Sequence, residues 1–377
     1  MKVVHVVRQY LPSIGGMEEM VRNLAQQQLC SGRYQPSILT LNRVFRSAGA
    51  VLPGRAVLDG VPVQRLGYGG SERYPLCPQV ALALGGADLV HVHGIDFFFD
   101  YLALLHPVLR KPLLASTHGG FFHSGFASGF KQVYFRSITL LSATAYRRVI
   151  ATSENDGALF SRVVAAGRLR VIENGVDLQK FQGAATGTLQ PVLIYFGRWS
   201  RNKGLGDCLQ LLAALCRQQP DVPWQLIIAG REYDLDAAAL QQQAQALGVA
   251  QRMELHPNPD HSALRRLIAR SSYFLCLSQH EGFGIAPIEA ISAGLVPLLS
   301  AIAPFVRLHQ QTGCGLLLET GQAETQALQI ARLHAQLLHS QNHSSALAAV
   351  QERVQRYGWT GVAARYAQEY DQAMEHL

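Results

Sequence analysis

The stretch QGAATGTLQPVLIYFGRWSRNKG, Gln182–Gly204, decides how the chain is organised. Its first part, 182–191, is small, polar and glycine-containing with no apolar period, the composition of a connection between folded units. Its second part opens with Val192–Phe196, a short run of branched and aromatic residues. A glycine-containing loop then leads into helical spacing from Leu205 to Gln218, so a strand passes into a helix. The same alternation recurs outward in both directions. Upstream, Lys2–Val7, Ser37–Leu41, Asp88–His93, Leu113–Thr117, Arg148–Thr152 and Leu169–Ile172 read as strands. Downstream, Trp224–Ala229, Met253–Leu255, Tyr273–Leu277 and Val296–Leu299 do. Helical segments fall around Ala237–Leu247, Ser262–Arg270 and Pro287–Ala293. Repeated βα units predict parallel sheets. The fold class is therefore α/β, with two Rossmann-like parallel-sheet domains facing across a cleft, over 1–184 and 190–359. Tyr366 and Tyr370, four apart, mark a closing helix over 360–377 that packs on the body.

A chain of 377 residues suits two or three domains, and 48% hydrophobic against 16% charged residues excludes a disordered or fibrous one. The net charge of +7 is unevenly placed. Residues 1–180 hold 19 basic and 11 acidic side chains, whereas 181–377 hold 14 and 15. A basic first half fits an anionic partner: a phospholipid surface, a nucleic acid or a polyanionic substrate. Six cysteines without a CxxC pair suggest neither a zinc ribbon nor a disulfide frame, and fit a reducing compartment. Val3–Val7 is too short and too polar for a secretory signal, and no run reaches the roughly 18 apolar residues of a membrane span. Any membrane association is expected to be peripheral.

Ligands of open parallel sheets bind beyond the strands' carboxyl ends, so site residues are expected in the loops there. After the first strand, Gly15 and Gly16 precede a helix start, where free N–H groups attract anions; a plain turn explains them equally well. After Leu113–Thr117 comes His118-Gly119-Gly120. This is either an imidazole presented to a ligand or a loop histidine bonded to backbone. His91 and His93 share a strand face, but with no third ligand in view they read as a packed pair. In the loop after Phe196, Arg198 and Lys203 flank a helix start and can converge on a diphosphate. In the loop HEGFGIAPIEA, the N–H groups of Phe283, Gly284 and Ile285 open a helix between two carboxylates, Glu281 and Glu289, which suit sugar and ribose hydroxyls. Asp234-Leu235-Asp236 has the form of a metal-binding DxD, yet precedes Ala237–Leu247 and reads as a helix cap.

Glu281 and Glu289, with the glycine pair, His118, and Arg198 and Lys203 in a GRxxxxKG loop, resemble the retaining GT-B glycosyltransferases of the large family-four group. The likeness runs over nearly the whole chain, including ENGVD at Glu173–Asp177. It implies two domains of GT-B fold, the first binding acceptor and the second the nucleotide sugar, with the last helix returning to the first. Stretches such as RQYLPSIGGMEE, STHGGFFHS and AGREYDL are similar to a mannosyltransferase subgroup of xanthan- and acetan-type polysaccharide assembly. That subgroup moves mannose from GDP-mannose to a cellobiosyl lipid, a polyprenyl-diphosphate-linked saccharide.

Carried over, the resemblance implies that Gly15, Gly16, Arg198, Lys203 and the N–H groups of Phe283, Gly284 and Ile285 hold the diphosphate. Glu289 takes the ribose, Glu281 the sugar, Asn258 the base, and His118 faces the reacting centre, with His118, Glu281, Arg198 and Lys203 as the catalytic set. It implies front-face transfer with retention of configuration, no metal cofactor, and a cytoplasmic enzyme at the inner face of the membrane. Lys131, Arg136, Phe121 and Phe122, within a stretch that also holds Arg110, Lys111, Tyr134, Phe135, Arg147 and Arg148, suit an anionic membrane surface; the alternative is a core-packed helix with solvated cations. No recognition motif accompanies the charge, so no nucleic acid is expected. The alternatives are a family-four enzyme using a UDP-sugar, a GT-B-like epimerase, and a non-catalytic binder of nucleotide sugar or lipid.

Overall fold

A computed structural model of the chain describes residues 1–45, 51–72, 74–118, 134–185, 187–281, 283–339 and 350–375. It divides into two compact units, Met1–Gly175 with Trp359–Leu377, and Val176–Gly358.

The first unit is built on an eight-stranded sheet. Its strands are β1 (Lys2–Val7), β2 (Gln35–Leu41), β3 (Arg55–Leu58), β4 (Val61–Leu66), β7 (Leu89–His93), β8 (Leu113–Ser116), β9 (Arg148–Ala151) and β10 (Leu169–Val171), while β5 (Gly69–Ser71) and β6 (Tyr74–Leu76) pair separately. The order is β10-β9-β8-β7-β1-β2-β4-β3, parallel except for the β3–β4 hairpin. Side chains alternate between two cores, as period-2 strands buried on both faces require. Leu113, Ala115 and Val149 join the helix Phe97–Leu109 on one face; Leu114 and Ile150 meet the helix Trp359–Met374 on the other. That last helix buries Val362, Tyr366, Tyr370 and Ala373. It is held further by Glu369, which accepts from Arg148 at 2.8 Å.

The second unit has one parallel sheet of β11 (Val192–Phe196), β12 (Gln225–Gly230), β13 (Met253–Pro257), β14 (Tyr273–Cys276), β15 (Val296–Ser300) and β16 (Leu316–Leu318), ordered β13-β12-β11-β14-β15-β16. The strand order reverses between β11 and β14. Their ladder consists of Leu193–Tyr273 and Ile194–Phe274 alone, short of both carboxyl ends.

The chain passes between the units at Gly175–Val176, ahead of the expected connection at 182–191. Those later residues belong to the second unit because backbone groups and buried side chains tie them there. Phe181 is fully buried, Ala185 N–H donates to Ala293 O at 2.9 Å, and Gln190 N–H to Ser272 Oγ at 2.8 Å. Among the described residues, no helix is long and apolar enough to cross a membrane.

Candidate active site

In the second unit, the loops after β11 and β14 carry most of the candidate residues at the point where the strand order reverses, the usual ligand position of such sheets. After β11 the chain exposes Arg198, makes one tight turn over Arg201–Lys203 and enters the helix Leu205–Gln218. Gly204 closes that turn at φ +67, and a Cβ on it would lie 2.1 Å from the Leu277 carbonyl oxygen. Only glycine lets the β11 loop press this closely on the end of β14. Gln279 N–H then bonds Asn202 O at 2.8 Å and joins the two loops. As a result, Lys203 Nζ stands 2.5 Å from Glu281 Oε1, with side chains 15% and 16% exposed. Ser278 Oγ donates to the same oxygen at 3.0 Å.

Glu289, on the helix Ile285–Ala293, accepts from Lys180 Nζ at 3.0 Å, and that ammonium also lies 4.8 Å from the centroid of the Phe181 ring. Each glutamate of the loop therefore has a lysine. Gly284 enters the helix at φ +87, Ile285 is exposed, and the N-cap glycine has no side chain to cap the helix start. The guanidinium of Arg198 covers the Tyr233 ring at 4.9 Å, and its carbonyl accepts the Tyr195 hydroxyl at 2.8 Å. Asn258, exposed after β13, has φ +48, and its N–H donates to Gly230 O at 2.8 Å. Asp236 accepts from Ala239 N–H at 2.8 Å as the cap of Ala237–Ala246. Asp234 instead accepts Ser200 Oγ at 3.1 Å and Arg201 N–H at 2.8 Å, bracing the loop that bears Arg198 and Lys203.

In the first unit, His118 follows β8 at φ +52. A left-handed backbone is uncommon outside glycine and concentrates at functional sites. Its Nε2 lies 2.9 Å from His93 Nδ1, and burial pushes its pKa down to about 4, so the ring is neutral at pH 7. Gly15 is the extended residue ahead of the helix Gly16–Cys30. A Cβ on Gly16 would meet none of the described residues within 4 Å, so their packing does not demand glycine there. His91 and His93 are fully buried, as a packed pair would be, but a third imidazole joins them: His5, opposite His91 in the β1–β7 register. The sequence hid it because β1 and β7 meet only through the fold. All six ring nitrogens of these three histidines have protein partners.

Comparison with known proteins follows the same division. Residues 14–180 match the family described as Glycosyltransferase Family 4, and residues 179–348 the family described as Glycosyl transferases group 1. The chain is 49% identical over 375 residues, 99% of its length and 97% of the relative's, to a GDP-mannose:cellobiosyl-diphosphopolyprenol alpha-mannosyltransferase of Xanthomonas oryzae pv. oryzae. A protein of the same name from Komagataeibacter xylinus is 43% identical over 99% of this chain and 94% of its own. The chain belongs to the family-four glycosyltransferases. A crystal structure of a glycosyltransferase from Rickettsia africae has the same GT-B fold, with a TM-score of 0.74 at 16% identity, covering 100% of this chain and 99% of that one.

In this glycosyltransferase the loops bring Lys203 to Glu281, and put Arg198, Asn258, Phe283, Gly284, Ile285 and Glu289 at strand ends and helix starts of one unit; Gly15, Gly16 and His118 occupy the other. Lys180 was not anticipated. The signal for it was Glu289 itself, a carboxylate within the apolar run IAPIEAISA, which must find a cation once packed. Of the expected membrane surface, Phe121, Phe122 and Lys131 lie outside the described residues, as does the side chain of Arg136. Arg147 and Arg148 are not available to it. Arg147 donates to Ala373 O at 2.8 Å and Arg148 to Glu369, anchoring the last helix, while Phe135 is buried in the core.

Proposed function

We propose that this glycosyltransferase moves mannose from GDP-mannose, with retention of configuration, to the cellobiosyl-diphosphopolyprenol lipid named by its relatives, in exopolysaccharide assembly. The observation that carries the reading is the mostly buried Lys203–Glu281 pair at the strand-order reversal, in a chain 49% identical over nearly its full length to a curated mannosyltransferase. A carboxylate suited to sugar hydroxyls and a cation suited to a departing phosphate stand in contact. In the reaction, Gly15, Gly16, Arg198, Lys203 and the N–H groups of Phe283, Gly284 and Ile285 are the groups assigned to the diphosphate. Glu289 releases Lys180 to grip the ribose, Asn258 meets the base, Glu281 the mannose hydroxyls, and His118 the sugar near the reacting carbon. The acceptor hydroxyl attacks from the face the phosphate leaves, its proton passes to the departing phosphate oxygen, and fixed cations stabilise the growing charge.

No metal is required in this scheme. Docking at an anionic membrane surface draws support from Leu104, Val108, Leu140 and Leu141, exposed on two helices packed against each other beside the exposed Arg110. The test is calorimetric titration of GDP, UDP and ADP and their sugar conjugates, with and without chelator. Chelator-insensitive preference for GDP-mannose is the expected result, and preference for a UDP-sugar overturns the donor assignment.

A further inference from the structure

Behind His118 runs a continuous file of hydrogen bonds through the first unit's core. His118 Nε2 is 2.9 Å from His93 Nδ1, His93 Nε2 is 2.9 Å from His5 Nδ1, and His5 Nε2 is 2.8 Å from Gln28 Oε1. The Gln28 amide nitrogen donates to the Tyr370 hydroxyl at 3.1 Å; that hydroxyl lies 2.8 Å from His91 Nδ1, and His91 Nε2 lies 2.9 Å from Ser116 Oγ. His5, His91 and His93 have no exposed surface.

A neutral imidazole has one donor and one acceptor nitrogen, so one end of such a file dictates every proton in it. The rings are neutral because burial holds His5 and His118 at about 4 and His91 and His93 well below their ordinary value. Gln28 Oε1 can only accept, so His5 carries its proton on Nε2 and accepts at Nδ1. His93 must then be protonated on Nε2 and accept at Nδ1. His118 in turn donates from Nε2. Along the other arm, Tyr370 accepts from Gln28 and donates to His91, which donates to Ser116, so every member keeps a partner and none opposes the direction. The file joins β1, β7, β8, the helix Gly16–Cys30 and the last helix, elements distant in sequence.

We propose that His93, His5 and Gln28 are positioning residues that lock His118 into one tautomer, protonated on Nε2 and bare on Nδ1. The loop after β8 thereby presents a fixed hydrogen-bond acceptor, the partner a hydroxyl of a bound sugar needs, and never an imidazolium, which has no acceptor nitrogen to offer. The use of that acceptor in transfer rests on the role proposed for His118; the lock itself does not.

The experiment is nitrogen-15 spectroscopy of the full-length protein labelled at histidine, with the His118 signals identified by their loss in His118→Gln. The expected result is a single neutral form with protonated Nε2 and bare Nδ1. An Nδ1-protonated ring, or an even mixture, overturns the lock without any further variant. Gln28→Met keeps the volume and removes the acceptor at the end of the file. It should mix the two tautomers of His118 and lower kcat about 10-fold, one hydrogen bond's worth, with the KM for GDP-mannose within about threefold. A His118 tautomer unmoved by Gln28→Met overturns the lock. A tautomer that moves while turnover does not upholds the lock and overturns the role of His118 in transfer.

Discussion

Replacing Lys203 by methionine separates what its ammonium does for folding from what it does for chemistry. Nζ is 2.5 Å from Glu281 Oε1, both side chains are about 85% covered, and Ser278 Oγ also donates to that oxygen. Losing the cation removes one charge-assisted hydrogen bond, about 1.5–3 kcal/mol, which the residual exposure brings toward the lower end. We expect Lys203→Met to lose about 2 kcal/mol in urea unfolding. Adding Glu281→Gln removes the uncompensated carboxylate, so the double variant should regain at least half of that loss. Turnover should not follow. An ammonium that stabilises charge on the departing phosphate is worth about 10²–10³ in kcat, and the double variant stays at least as slow. The assay is mannose transfer at saturating GDP-mannose, with GDP affinity measured separately by calorimetry. Equal losses in kcat and in GDP affinity would reduce Lys203 to a binding group, and recovery of turnover in the double variant would refute the assignment altogether.

Gly16→Ala should leave thermal stability unchanged or slightly raised, since a Cβ there meets none of the described residues, yet raise the KM for GDP-mannose at least about 10-fold if a phosphate approaches that backbone; an unchanged KM removes Gly16 from the site. Gly204→Ala, with φ +67 and a carbonyl 2.1 Å from the new atom, should cost roughly 3 kcal/mol of stability in denaturant titration. Stability itself should fall as the solution is acidified. His5 and His118 are held at about 4 in the folded chain against 6.5 unfolded, so below pH 6.5 the unfolded chain takes up protons the folded one refuses. Their contribution is complete above pH 6.5 and shrinks through the window down to pH 4, by roughly 1 kcal/mol per histidine already at pH 5.5. Urea midpoints at pH 7.5 and 5.5 measure it, and a flat profile contradicts the buried neutral state.

What the sequence disclosed was the part written in local periodicity. Val192–Phe196 and Leu205–Gln218 coincide with β11 and its following helix because apolar spacing and the Gly204 stop are both local. The β3–β4 hairpin went unread although Asp59-Gly60, with φ +50 and +79, is the turn such a hairpin requires. The site was legible where glycines and charges cluster in a loop, as in HEGFGIAPIE. It was illegible where partners are brought together by the fold. Lys180 reaches Glu289 across 109 residues, and His5 reaches His93 across 88. Arg147 and Arg148 misled for the same reason, since the last helix that takes them up lies more than 220 residues away.

Retaining mannose transfer is tested most directly by incubating the full chain with GDP-mannose and a synthetic cellobiosyl-diphosphopolyprenol, then determining the anomeric configuration of the new linkage by NMR. Formation of an α-mannosyl trisaccharide lipid, from GDP-mannose and not from UDP-sugars, is expected. A β-linked product contradicts front-face transfer, and the absence of any product from this pair, where a UDP-sugar is consumed instead, contradicts the mannosyltransferase assignment.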